Sequence, residues 1–206
     1  MHSRKLVIFG FGGHARSAGD VALTSGYQEL IFVEPTARPG ENFAGHRVVQ
    51  SLDALDATWT EAFAASGDAI LRYEQCKIIA KVGLSLVSLI SPLASIGVGS
   101  RIFAGCFIGH HAHVGPLAEI HRGCIINTGA VVEHDSCVCE YSHISVNSTV
   151  AGRSKVGRFS MLGAGATIVD GLTVVDNVVI GAGATVVRSI LEPGAYVGVP
   201  ARRIGV

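Results

Sequence analysis

An imidazole beside a carboxylate is the first chemical signal in this 206-residue chain. His134-Asp135 offers a ring that takes up a proton near neutral pH, next to an acid able to fix the ring's tautomer and hold the imidazolium it becomes. The plainer alternative is a solvent-exposed histidine. His143 follows nine residues later. A second signal is Gly10-Phe11-Gly12-Gly13-His14-Ala15, which fits the G-x-G-x-x-G/A turn in which backbone amides at a helix N-terminus hold phosphate. A tight structural turn is the other reading. Third, His110, His111, His113 and His121 crowd together, and such clusters invite a metal reading.

These groups act only if a scaffold positions them, and the chain is organised around the stretch from Ile90 to Val186. Every sixth residue there is a branched aliphatic without a miss: Ile90, Ile96, Ile102, Ile108, Val114, Ile120, Ile126, Val132, Val138, Ile144, Val150, Val156, Leu162, Ile168, Val174, Ile180 and Val186. Two residues before most of them stands Ala, Ser or Cys; Leu172 and Val178 are larger. A period of six fits neither a helix nor a half-buried strand. It fits a left-handed parallel β-helix of hexapeptide repeats, three short strands to a triangular coil, with the aliphatic pointing inward and the small residue at a corner. The stretch makes between five and six coils, rising roughly 4.8 Å each.

His134 lies two residues past inward Val132, so its side chain leaves the prism at a wall or corner. His143 directly precedes inward Ile144 and lies half a coil further on, so the two rings face different directions. If they meet, they meet across two subunits. That geometry predicts a homotrimer with sites at its interfaces.

Composition narrows the classes. Charged residues make up 16% of the chain, with 16 basic against 16 acidic and no basic cluster, so neither nucleic acid nor an acidic membrane is an expected partner. The 26 glycines suit a solenoid with many corners. The apolar run after basic Met1 to Lys5 ends at Gly10, too short for a signal peptide, and no window is long and apolar enough for membrane insertion. The five cysteines agree with a reducing compartment, and the expected location is cytoplasmic. Cys106 and Cys124, eighteen residues apart, should stack on successive coils.

The N-terminal half reads as an α/β unit. Lys5–Gly10 is an apolar strand, Arg16–Ser25 a helix and Glu29–Glu34 a second strand, closing a right-handed βαβ unit. Pro35–Gly45 reads as loop. Val48-Val49 and Glu61–Ala65 are further strands around a short polar helix near Ser51–Leu55. Asp68–Val82 is helical, with Asp68 as N-cap and Leu71, Ile78, Ile79 and Val82 on one face. Ser85–Ile90 leads as a strand into the repeats. A full dinucleotide fold needs two such halves, so a Rossmann-like half domain over residues 1–88, holding a mononucleotide or nucleotide sugar, is expected before a β-helix over residues 89–206.

This arrangement resembles the bacterial sugar O-/N-acyltransferases, hexapeptide-repeat enzymes that acetylate nucleotide-linked amino sugars or sialic acid. The resemblance covers almost the whole chain and rests on Gly10–His14, Asn127 with Val132-Glu133-His134-Asp135, Tyr141–Ser145, Val150-Ala151-Gly152 and Gly198–Arg202. It is strongest to members of the bacillosamine route, which acetylate the 4-amino group of a UDP-linked 4-amino-4,6-dideoxy sugar.

The resemblance implies an acetyl-CoA-dependent N-acetyltransferase with His134 as general base and Asp135 as the neighbouring acid. It puts the thioester carbonyl at His143, further coenzyme A contacts near Ala164 and Ala182, and nucleotide-sugar contacts near Phe11, Gly12, Gly13, His14, Glu34 and Gly67. The chain has Glu34-Pro35 where the family has two acidic residues, and Ala69 where it often has Asn, so UDP, GDP and dTDP stay open. O-acetylation of sialic acid or a related sugar is the alternative. A zinc hydro-lyase of the β-helix carbonic anhydrase type is a third reading, but that family uses two His ligands five residues apart. No two of the nine histidines have that separation, so no metal is expected and the histidine cluster is read as surface or acceptor-lining residues.

Overall fold

The hexad phase sets the architecture of the C-terminal half. In the computed structural model, which describes residues 3–205, the inward aliphatics from Ile90 to Val174 each end a two-residue strand, and these strands pair in parallel at an interval of eighteen residues, as Phe107-Ile108 does with Ile125-Ile126. Three walls result. The first runs from Leu89-Ile90 through His143-Ile144 to Gly194–Val197 and ends on an antiparallel strand at Arg202–Ile204. The second runs from Ser95-Ile96 to Thr185-Val186, the third from Arg101-Ile102 to Thr173-Val174. The chain is a parallel β-solenoid from Leu89 onward.

Ile108, Val132, Ile144 and Ile168 are fully buried along its axis, with the small residues Cys106, Ala130, Ser148 and Ala166 packed beside them. Inward serines hydrogen-bond to backbone at the corners, as Ser142 Oγ does to the Gly157 carbonyl at 2.6 Å. Cys106 and Cys124 stack as expected, each directing Sγ at a corner carbonyl. Every corner from Gly99 to Gly183 turns on a residue with positive φ, recurring each hexad. Glycine adopts that conformation without strain, which accounts for much of the glycine excess.

The N-terminal half is a six-stranded sheet with two α-helices and, at Leu52–Ala54, the expected short helix as a single 3-10 turn. Strands β1 (Lys5–Phe9), β2 (Glu29–Val33), β3 (Asn42–Phe43), β4 (His46–Val49), β5 (Glu61–Ala64) and β6 (Ser85–Leu86) lie in the order β3-β4-β2-β1-β5-β6, parallel except for the β3–β4 hairpin. Strand β3 falls where the sequence reads as loop, whereas β4 covers the expected Val48-Val49. Helix α1 (Gly13–Thr24) starts three residues earlier than expected, at the glycine turn itself, and α2 (Ala69–Lys81) is N-capped by Asp68, whose Oδ1 accepts from Leu71 N at 2.8 Å. The face assigned to α2 needs correction. Arg72, Cys76 and Ile79 are its buried stripe, while Leu71, Ile78 and Val82 are exposed, because the residues at i, i+4 and i+7 that meet the sheet include an arginine.

The expected strand Ser85–Ile90 also divides. Ser85-Leu86 pairs with β5, whereas Leu89-Ile90 pairs with the solenoid. The chain changes sheet within two residues. The two halves then share a core, since the outward residues Leu89, Phe107 and Ile125 of the first wall are buried against Leu6, Ile8, Phe11, Ala15 and Phe63.

Candidate functional site

His134 sits at the corner between the second and third walls. Its neighbour Asp135 takes a left-handed conformation, φ 57°, and Asp135 Oδ2 lies 2.8 Å from His134 Nδ1. That contact commits Nδ1 as donor and leaves Nε2 as the nitrogen able to accept a proton. The side chain is 44% exposed, so a ligand can reach it. One coil on, at the same corner, stands Gly152. A β-carbon there would lie 2.6 Å from His134 Nε2 and 3.0 Å from Asp170 Oδ1, so the missing side chain is the space the ring occupies. The stacking interval of eighteen residues is the signal in the sequence that identifies this partner.

His143 projects outward from the first wall, away from that corner. Asn127 Nδ2 lies 3.2 Å from its Nε2. The ring is 6.4 Å from the His14 ring, which also packs edge-on against Phe107 at 4.8 Å. The structure therefore brings His14 and His143 together within one chain. Burial, then the neighbouring Arg72 cation, pushes His143 down to about 4; burial, His143 and Arg72 push His14 down to about 3. Both rings are neutral at physiological pH. Among the described residues, His14 Nε2 is a buried polar atom without a hydrogen-bond partner.

The cation beside both rings is one that sequence reasoning missed. Arg72 is fully buried. Its guanidinium donates to the carbonyls of Gly123 (2.7 Å), Tyr141 (2.6 Å), Ser66 (2.8 Å) and Gly67 (3.1 Å), fastening the loop before α2 to a solenoid corner. Gly67 thus borders the junction of the two halves. A lone arginine in a helix gives no sign of this in sequence.

The glycine turn joins β1 to α1. Gly10 has φ 103° and its amide bonds to the Val33 carbonyl at 2.8 Å, which aligns β1 with β2. Gly12 caps α1 without any side-chain hydrogen bond, and neither Gly12 nor Gly13 has an atom within 4 Å of where a β-carbon would stand. The helix N-terminus is therefore open, with its amides available to an anion. Phe11, Gly12, Arg16, Glu34, Thr36, Arg38 and Glu41 line a cavity of about 250 Å³ beside it. Glu34 also borders a second, mostly apolar cavity of about 300 Å³ with Gly10, Gln50, Ser51, Gln75 and Ile78. His14 points away from both, into the junction.

Ala164 and Ala182 stack at the corner between the first and second walls, both exposed and flanked by Gly163, Gly165, Gly181 and Gly183. Side chains are nearly absent there. The result is a shelf of backbone that a slender chain of methylenes and amides can follow. This corner and the His134 corner lie on opposite edges of the second wall. The histidine cluster does not converge: His110 bonds to Ser91 and Asp20, and His113 to Ser95.

Comparison with solved structures follows from this geometry. The acetyltransferase domain of PglB from Neisseria gonorrhoeae FA1090 is 28% identical over 98% of this chain and 100% of that one, with a TM-score of 0.91, and has also been seen in complex with acetyl coenzyme A. GDP-perosamine N-acetyltransferase from Caulobacter crescentus, in a histidine-to-alanine mutant bound to CoA and GDP-perosamine, is 30% identical over 98% of this chain and 97% of that one, also with a TM-score of 0.91. WeeI from Acinetobacter baumannii AYE shares the fold at 16% identity and a TM-score of 0.71. No family model matches the chain. The solved structures that match this chain over almost its whole length at 28–30% identity are acetyltransferases. The chain belongs to the bacterial sugar acyltransferase family of the hexapeptide-repeat type.

Proposed function

We propose that the protein is an acetyl-CoA-dependent N-acetyltransferase acting on the amino group of a UDP- or GDP-linked 4-amino-4,6-dideoxy sugar. The observation that carries this is the His134–Asp135 pair, bonded at 2.8 Å through Nδ1, with Nε2 lying over Gly152 and the side chain 44% exposed. In this reading the sugar amine attacks the thioester carbonyl, His134 Nε2 takes the amine's proton, Asp135 holds the ring and the resulting imidazolium, and coenzyme A leaves as the thiol. No metal enters the transfer. The relative that acts on GDP-perosamine is an N-acetyltransferase by name, which favours an amine over a hydroxyl acceptor.

The backbone shelf at Ala164 and Ala182 suits the pantetheine arm of acetyl-CoA. It lies across the second wall from His134, so we place the site between subunits of a homotrimer, one copy supplying the shelf and the next the base. His143 is the expected contact for the thioester carbonyl. The nucleotide sugar is assigned to the N-terminal half: the phosphates to the amides of Gly12 and Gly13 at the open end of α1, the nucleoside to the cavities beside Phe11 and Glu34, and the sugar to the junction near His14 and Gly67. We read that half as Rossmann-like, the solenoid as left-handed, and the protein as cytoplasmic; no described helix is long and apolar enough to cross a membrane.

Incubating the purified protein with acetyl-CoA and a panel of UDP-, GDP- and dTDP-linked 4-amino sugars tests the proposal through thiol release. Turnover confined to a nucleotide-linked amino sugar is expected. Thiol release only with hydroxyl acceptors such as sialic acid would overturn it.

A further inference from the structure

The third wall carries a set of side chains that acetyl transfer does not use. Glu119-Ile120-His121 lies on one coil and Cys137-Val138-Cys139 on the next, with Glu119 in register with Cys137. Ile120 and Val138 are buried in the prism, so the residues flanking them fall on the outer face. His121 is one stacking interval below Cys139. Four donors therefore occupy the corners of a rectangle on two adjacent coils.

The distances suit a small cation. Ligand atoms of Glu119, His121 and Cys137 lie within 4.8 Å of one another, and Cys137 Sγ is 3.9 Å from Cys139 Sγ. Two thiolates bound tetrahedrally to zinc, each at about 2.3 Å, stand about 3.8 Å apart. The surroundings match those of a metal-binding histidine as well. His121 Nε2 is 3.4 Å from Glu119 Oε2, and Nδ1 is turned to Glu140 Oε1 at 3.8 Å, while the other oxygen of that carboxylate, Oε2, is 3.2 Å from Arg158 Nε. A carboxylate on that side of the ring is the kind of neighbour that orients a ligating histidine. Phe103 stacks on the other side of the ring at 4.9 Å. Arg101, bonded to Glu119, and Lys155, next in register after Cys137, supply positive charge against two thiolates and a carboxylate. The chain's other cysteines are buried; these two reach the surface.

We propose that Glu119, His121, Cys137 and Cys139 form a site for a thiophilic divalent cation of the zinc class, which fastens two coils of the third wall together. Binding replaces the two thiol protons by the metal, so protons are released as it fills.

Reduced full-length protein, stripped of metal by a chelator, is titrated with Co²⁺, whose sulfur-to-metal charge-transfer absorption reports thiolate ligation. One equivalent should bind with a tetrahedral visible spectrum, yield to Zn²⁺ and release protons. The double variant Cys137→Ser/Cys139→Ser should lose the band, and His121→Gln should change the visible spectrum and weaken binding by at least about 10-fold. Zn²⁺ should raise the melting temperature of the wild type and leave that of the double variant unchanged. No charge-transfer band in the wild type, a band that survives the double variant, or His121→Gln behaving as wild type would each overturn the site. Should the double variant fail to fold, the titrations of His121→Gln and Glu119→Gln decide the matter by the same criteria.

Discussion

Gly152→Ala separates the proposed catalytic use of the His134 corner from its structural use. The new β-carbon would stand 2.6 Å from His134 Nε2 and 2.7 Å from Cε1, against an ordinary contact of about 3.5 Å or more. The ring must move by roughly 1 Å or swing out, and a displacement of that size at a reacting group costs about 10²-fold in rate, near 2.7 kcal/mol. Folding should hardly change. The crowded atoms are the ends of two half-exposed side chains, and Gly152 does not have positive φ. Alanine should even contribute about 0.4–1 kcal/mol by restricting the unfolded chain. Gly157→Ala is the control, since its β-carbon would meet the backbone carbonyl carbon of Val175 at 2.3 Å and should lower stability. The assay is steady-state thiol release with acetyl-CoA alongside thermal melting. A Gly152→Ala enzyme with wild-type kcat and melting temperature would refute the claim that Nε2 lies over Gly152 and acts as the base.

His134→Ala should lower kcat by about 10²- to 10⁴-fold with little change in acetyl-CoA affinity, and Asp135→Asn by less, because base and orienting acid act in the transition state; near wild-type turnover in the first would remove the assignment. Gly12→Val should raise KM for the nucleotide sugar and spare that for acetyl-CoA, because a β-carbon there meets no protein atom within 4 Å and the side chain enters the space proposed for phosphate; both constants moving together would count against this. Ile126→Asp should prevent folding, since Ile126 is fully buried and an unpaired charge there has no compensation; a soluble variant with a normal melting temperature would contradict the register. His14 and His143 lie at about 3 and about 4 in the folded chain, against about 6.5 when unfolded. Below about pH 6.5 the unfolded chain binds protons that the folded chain refuses, so stability should fall from pH 6.5 toward 4 by an amount on the order of a few kcal/mol. His143→Gln should flatten that dependence in denaturant titrations at pH 7 and 5, and an unchanged slope would rule it out.

The prism and its inward residues were legible because a six-residue period is a local constraint: each coil repeats the same backbone, so the aliphatics at one phase must share the axis, and Ile108, Val132 and Ile168 do. The same arithmetic put His134 at a corner and separated it from His143. It could also have paired His134 with Gly152, and Glu119 and His121 with Cys137 and Cys139, since stacking at eighteen residues follows from three hexads; a search for histidines five residues apart passes over that quartet because its donors come from different coils. What tertiary structure alone decided is how the first half docks. Burying Leu89, Phe107 and Ile125 against Phe11, Ala15 and Phe63 turned His14 inward against His143, and Arg72 replaced the apolar stripe read for α2 by reaching four carbonyls across the junction. No period connects those residues. Their meeting depends on how two surfaces fit in one shared core, which desolvation of apolar area selects without leaving a regular spacing in the chain.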